Sequence, residues 1–217
     1  MMRTVYHEQL RILGEELTKM GALCEEGISA AMRALFEGDQ TMAQKAMDIE
    51  REIDRKERDI ESQSMKLLLC QQPVAGELRV VSSALRLISD LERIGDQASD
   101  IAEITPHITD RAPAIMKLFH EMAVHTIRMV TESVDSFVRS DESLAREVQA
   151  YDDVVDQDFL KVKNALIDHM RSGGEMESFA DLLLIAKYLE RIGDHATNVA
   201  EWVEYEVTGD HPKMHEN

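Results

Sequence analysis

The chain has 217 residues, room for one large domain or two small ones, and its 44% hydrophobic content is enough to fill real cores. Aromatic residues are scarce at 5%, while Leu, Ala, Met, Glu and Asp abound, the vocabulary of helices rather than sheets. A formal net charge of -18 excludes nucleic acid as a partner and disfavours direct adsorption to an anionic membrane, because phosphates repel such a surface.

The N-terminal run MMRTVYHEQL has no apolar core of the signal-peptide kind, and no apolar stretch is long enough to span a bilayer. A cytoplasmic chain without membrane insertion is therefore expected. Helical periodicity then begins at once. Tyr6, Leu10, Leu13, Leu17, Met20, Cys24, Gly27 and Ala31 recur in steps of three and four, the seam of a bundle helix. Gly38 ends it and Asp39 is placed to cap the next. A second helix follows through Met42, Ala46, Ile49, Ile53, Ile60 and Leu67 until Gln71-Gln72-Pro73, where proline lacks an amide donor and clashes with the preceding turn. A third runs from about Gly76 to Ile104. The stretch from Thr105 to Pro113, with prolines at both 106 and 113, reads as a linker. Cys24 and Cys70 show no CxxC spacing and are expected as reduced core residues.

Beyond the linker the organisation repeats. Leu91-Glu92-Arg93-Ile94-Gly95-Asp96 returns as Leu189-Glu190-Arg191-Ile192-Gly193-Asp194, each followed by a small residue (Ala98, Ala196) and by Ala-Glu (Ala102-Glu103, Ala200-Glu201). Earlier positions correspond more weakly: Met20 with Met122, Ile28 with Val130, Leu35 with Phe137, Asp39 with Asp141. The change of offset between early and late positions is expected to fall at the turn between the second and third helices of each unit. Such a duplication predicts an all-α fold of two tandem, sequence-related three-helix bundles, six long helices in all. The expected boundaries are 1–105 for the first bundle, 106–113 for the linker, 114–207 for the second bundle and 208–217 for a polar tail holding His211 and His215.

The repeated motif carries acids in register. Glu92 and Asp96 stand one turn apart on one helix face, as do Glu50 and Asp54 on the second helix. A lone ExxxD pattern arises on any acidic helix and means little by itself. Two facing pairs mean more. Glu50 and Asp96 are equidistant from Pro73, and so are Asp54 and Glu92; Asp152 with Asp194 and Asp156 with Glu190 are equidistant from Gly173. If each helix pair folds about those turn residues, four carboxylates lie level in each hairpin. Every one of the eight directly follows a core-seam position, so it flanks the buried stripe by about 100°. Gly95 and Gly193 cost a helix about 1 kcal/mol relative to alanine, and the missing side chain lets a partner helix or an ion approach. Facing half-buried carboxylates must take up protons or recruit cations. All-oxygen ligands suit hard or borderline ions, so divalent or trivalent metals (Mg, Ca, Mn, iron or Zn) are expected, in single or multinuclear sites. Asp100 and Glu103 extend the first stripe. Asn198 stands where Asp100 would recur, so the second site is expected to bind more weakly.

Other features have plainer readings. Arg79, Arg86 and Arg93, seven apart, are expected to pair with acidic helices. His195 is expected to form a surface hydrogen bond, and Met20, Met32, Met42, Met122, Met129 and Met170 to fill cores. Di-iron bundles use Glu-x-x-His motifs, and the chain has none. P-loop, GxSxG, HExxH and kinase motifs are missing too, so no enzyme is expected. The alternatives are a carboxylate-bridged metalloenzyme and a metal-free helical scaffold.

The duplicated Leu-Glu-Arg-Ile-Gly-Asp-x-Ala motif on two like bundles, with paired E/DxxxD acids, resembles the PhoU family across essentially the whole chain. That resemblance implies a metal-binding, non-enzymatic negative regulator of phosphate uptake and of the phosphate-starvation response. It implies as partners the ATPase of a phosphate ABC transporter and a sensor histidine kinase, with peripheral recruitment to the inner membrane, and a homodimer. By the same resemblance Glu50, Asp54, Glu92, Asp96 and Asp100 form one metal site, and Asp152, Asp156, Glu190 and Asp194 the other.

Overall fold

Six amphipathic stretches fold into six long helices in the computed structural model, which describes residues 2–71 and 73–210. Side chains of residues 2–5 and 71 are not described, and the expected tail histidines, His211 and His215, lie outside the described residues, as does Gln72 of the expected break. The helices are α1 (Met2–Glu37), α2 (Gln40–Gln71), α3 (Gly76–Ile104), α4 (Pro113–Arg139), α5 (Glu142–Arg171) and α6 (Met176–Thr208), with no strand among the described residues.

Helix ends follow local chemistry. Gly38 adopts φ +67°, which releases the chain from α1 at little steric cost. Asp39 then caps α2, its carboxylate accepting from the Thr41 amide at 2.8 Å. Asp141 caps α5 in the equivalent place, accepting from the Leu144 amide at 3.1 Å. The expected linker contains one short 3-10 turn, Thr105–His107. It is held by Arg111, which donates to the Leu35 carbonyl at the end of α1 (2.7 Å) and to the Thr105 carbonyl (3.1 Å).

α1, α2 and α3 pack on one another, as do α4, α5 and α6; α3 lies against α6 and α1 against α4, which joins the two bundles. The seam residues of α1 are buried from Leu13 through Leu17, Met20, Cys24, Ile28 and Leu35, and one continuous core runs through both halves. Burying each such aliphatic side chain contributes about 1.5–3 kcal/mol before conformational entropy is counted, and this outweighs helix propensity as the source of order. Met20, Met32, Met122 and Met129 are buried as expected, and Met42 and Met170 are half-buried. Cys24 is buried, its thiol pushed up by burial and donating to the Leu91 carbonyl at 3.3 Å. Cys70 departs from expectation: it is exposed, in the last turn of α2, beyond the point where Leu67 turns into the core.

The two hairpins differ in length in a way the sequence pattern does not predict. α2 ends at Gln71 and α3 begins at Gly76, just as α5 ends at Arg171 and α6 begins at Met176. The shortening falls instead on the arms: α2 has 32 residues against 30 in α5. On the returning arm 15 residues of α3 precede Leu91, against 13 of α6 before Leu189. Equal loss from both arms leaves the facing positions level, whereas loss from one arm alone would not.

Candidate functional site

In the first hairpin Glu50 and Asp54 follow the buried Ile49 and Ile53 on α2, while Glu92, Asp96 and Asp100 line the neighbouring face of α3; all five are half-buried. Burial raises the Glu50 carboxyl above its ordinary range, and Asp54 on the same helix and Asp96 across the hairpin raise it further. Burial likewise raises Glu92, with Asp96, Glu57 and Asp54 adding to the effect against the opposing charge of Arg93. The carboxylates therefore feel one another across the hairpin in the pairing that the turn positions dictate. Asp100 is raised by burial, then by Glu103 and Asp96, and is opposed by a hydrogen bond from Tyr188 and by the charge of Arg191.

The second hairpin repeats the pattern, with its largest shift at Asp152. Asp152 on α5 is pushed up to about 6, first by burial, then by Asp194 and Asp156. Asp194 on α6 is raised by burial and Glu190, against Lys187. Asp156 and Asp194 stand at the exposed edge, and Asp152 and Glu190 are half-buried. Gly193 places its backbone beside Asp152: a Cβ built there would lie 3.4 Å from Asp152 Oδ1.

Protein-borne cations already neutralise part of each set. Arg93 approaches Asp96 at 3.0 Å and Glu92 at 3.5 Å, Arg58 approaches Asp54 at 3.6 Å, and Lys187 pairs with Glu190. Among the described residues, no three His, Cys, Asp or Glu side chains converge into a ready-made metal site. The donor set is nonetheless of one chemical kind. Carboxylates, of which Glu50, Glu92, Asp100, Asp152 and Asp194 are raised above their ordinary range, fit hard oxygen-seeking cations once the arginines and the lysine swing aside.

Three further residues belong to this region, and the sequence pattern alone does not single them out. Glu57 is raised by burial and by Glu61 and Asp54, so it extends the acidic set along α2. Thr197 lies beside Asp152 and opposes its shift. Tyr188 reaches across from α6 to Asp100. A stepping of three from Asp54 was the one legible signal for Glu57.

Asn198 has a different place from the one expected, while His195 makes its expected hydrogen bond, half-buried between helices rather than on the open surface. Asn198 Nδ2 donates to Asp90 Oδ1 at 3.1 Å, and His195 Nδ1 is 2.9 Å from the same oxygen. Both therefore join α6 to α3 at the bundle interface. The duplication makes Asp100 equivalent to Asn198 and Asp90 equivalent to Tyr188, so the two contacts are one quasi-symmetric pair with acid and neutral partner exchanged. Arg79 donates to the Glu206 carbonyl at 3.0 Å and Arg86 lies over the Trp202 ring at 5.7 Å, so these two also work between bundles. Arg93 alone of the three meets the acids described above, as expected of it.

Comparisons with known proteins fall on the same duplicated unit. The PhoU domain matches residues 17–105 and again 119–203. A phosphate-specific transport system accessory protein PhoU homolog of Synechocystis is 35% identical over 208 residues, covering 95% of this chain and 93% of that protein. The crystal structure of PhoU from Pseudomonas aeruginosa is similar at a TM-score of 0.88 and 32% identity, over 94% of this chain and all of that one. That of the phosphate transport system regulatory protein PhoU from Streptococcus pneumoniae gives 0.87 at 26% identity, over 94% and 98% of the two chains.

Proposed function

The chain belongs to the PhoU family, and from that premise we propose that it is an accessory, regulatory protein of phosphate transport whose hairpin carboxylates hold metal ions. It acts without catalysing a reaction, as a homodimeric negative regulator in the cytoplasm. Its partners are the ATPase of a phosphate ABC transporter and a sensor histidine kinase, and they bring it to the membrane. No helix among the described residues is long and apolar enough to cross a bilayer, so attachment through protein partners suits this reading.

One observation supports the metal part above others: beyond the effect of burial, Asp96 raises Glu50 across the first hairpin and Asp194 raises Asp152 across the second. Glu50, Asp54, Glu92, Asp96 and Asp100 would hold ions in the first hairpin, and Asp152, Asp156, Glu190 and Asp194 in the second. A bound cation would supply the positive charge that lets all these carboxyls ionise together. Arg93, Arg58 and Lys187 would then leave their acids and turn outward. Uptake and release of ions thus exchange which side chains each hairpin presents, and a partner protein can read that change.

Elemental analysis of the purified chain, with Glu92→Gln/Asp96→Asn and Asp152→Asn/Asp194→Asn variants, tests the proposal. Each double variant is expected to lose the metal of its own hairpin and to bind the transporter ATPase or kinase differently from wild type. Metal-free wild type, or partner affinity indifferent to chelation, would reject the metal-dependent reading. Turnover by the metal-loaded chain would favour the carboxylate-bridged enzyme instead.

A further inference from the structure

Helices α3 and α6 run antiparallel where the bundles meet, and one cluster fixes their register. Asn198 Nδ2 and His195 Nδ1 of α6 both meet Asp90 Oδ1 of α3, at 3.1 and 2.9 Å. Asp100 stands ten residues further along α3, and Tyr188 ten residues back along α6. The register that sets Asn198 against Asp90 therefore sets Tyr188 level with Asp100. The phenol, half-buried against the core, hydrogen-bonds that carboxylate. Burial and then the Asp100 charge raise the phenol above its ordinary range, and the phenol in turn holds Asp100 down.

The two ends of this junction differ. At the Asp90 end the carboxylate has two partners on α6, and none of the acids proposed to hold metal takes part. At the other end the acceptor, Asp100, is itself one of those acids. Gln97, in the place that His195 has on α6, is 6% exposed and its Oε1 has no hydrogen-bond partner, so this end is not closed as the first is. The second hairpin receives no such hydroxyl, because α3 carries Asp90 where Tyr188 would recur and α6 carries Asn198 where Asp100 would recur.

A phenol differs from the cations that also meet these acids. Arg93 and Lys187 compete for the charge of a carboxylate and must leave before a metal ion takes it. A neutral hydroxyl can stay, since an ionised carboxylate has two oxygens and about four acceptor positions. A donor that grips a metal-binding carboxylate from outside the site fixes its orientation, and losing such a donor typically weakens metal binding about 10–100-fold. We infer that Tyr188 is a positioning residue for the first hairpin: reaching from the second bundle, it holds the Asp100 carboxylate for ions taken up with Glu50, Asp54, Glu92 and Asp96. The first site is thus completed across the bundle junction, whereas the second is complete within its own bundle. This rests on the metal-holding role proposed above and adds its regulation. A partner that shifts α6 against α3 changes the affinity of the first site and spares the second, and by linkage an ion in the first site resists that shift.

Titration of the full chain with manganese(II), followed by the electron paramagnetic resonance signal of the free ion, tests the inference. In the Asp152→Asn/Asp194→Asn background, which keeps the first hairpin, Tyr188→Phe is expected to raise the Kd about tenfold or more. In the Glu92→Gln/Asp96→Asn background, which keeps the second, the same change leaves the Kd as it was. Phenylalanine retains the ring and its packing and removes the hydroxyl alone. The phenol also reports directly: filling the first hairpin shifts the near-ultraviolet absorbance of tyrosine, and Tyr188→Phe abolishes that shift, which a residue that merely supported the fold would not do. A first-site Kd indifferent to the hydroxyl overturns the positioning role and leaves the metal reading standing. Equal weakening at both hairpins overturns it as well, by reducing Tyr188 to a support of the fold. Failure of the wild type to bind manganese(II) overturns the metal reading and the inference together.

Discussion

A methyl group placed on Gly95 would lie 2.9 Å from Ile53 Cδ1 and 3.2 Å from its Cγ2, so α2 and α3 touch backbone to side chain at the level of the first carboxylate set. Gly95→Ala is therefore expected to cost about 1–3 kcal/mol through overpacking, despite the gain of about 1 kcal/mol in helix propensity. At Gly193 the same atom meets Asp152 Oδ1 and Val155 Cγ1 at 3.4 Å, ordinary van der Waals contact. Gly193→Ala is expected to be neutral or stabilising by up to about 1 kcal/mol. Urea unfolding of the two variants should separate them, and equal effects would contradict the packing difference.

Asp152 sets a second expectation, in pH. Its folded pKa of about 6 lies above the ordinary carboxylate value of 3.8, so the folded chain holds this proton where the unfolded chain has released it. Its contribution to stability is present below about pH 4 and lost as pH rises towards 6. The loss is on the order of 1–2 kcal/mol, reduced from the full shift by solvent screening. Stability of wild type relative to Asp152→Asn, measured in chelator, should fall through that window. Excess divalent cation should flatten the fall, and a rise would refute the assignment.

At the bundle interface Asn198 donates to Asp90. Asn198→Asp would set a carboxylate against that acid and is expected to cost about 1–2 kcal/mol at neutral pH, recovered on acidification. Because the side chain faces α3, the variant is expected to bind no additional metal. An extra equivalent in elemental analysis would show that position 198 lines the second set after all.

Asp158 is 3% exposed and paired with His125 at 2.5 Å and Lys161 at 2.7 Å. His125→Ala leaves this buried carboxylate with one fewer partner and is expected to cost about 1–3 kcal/mol. Thermal unfolding of His125→Ala, Asp158→Asn and the double variant should show coupling between the two residues. Additive losses would deny that they interact.

The fold was legible because its signals are long and periodic. The α1 seam from Leu13 to Leu35 needs no tertiary knowledge, and the Leu-Glu-Arg-Ile-Gly-Asp repeat fixes which helices correspond. The acids facing across each hairpin were legible too, since turn residues Pro73 and Gly173 set the register of the arms. Contacts between elements distant in sequence were not. Asp90 meets Asn198, and Tyr188 meets Asp100, because α3 packs antiparallel to α6, and no local pattern in either helix announces that neighbour. Cys70 was misjudged for a similar reason: its helical position looks apolar, but the last turn of α2 has outrun its cover.

The matched trimming of the second hairpin restricts how such a molecule can change in length. Inserting one residue into α5 alone would lift Asp152 by about 1.5 Å and swing it by about 100° away from Asp194. The arms behave as a pair of graduated rods that must be cut or extended in concert, with the turn free to vary in composition but not in phase. Loop grafts at residues 172–175 should therefore be tolerated, while a single-residue indel in either arm should disassemble the acid row and leave the helices standing.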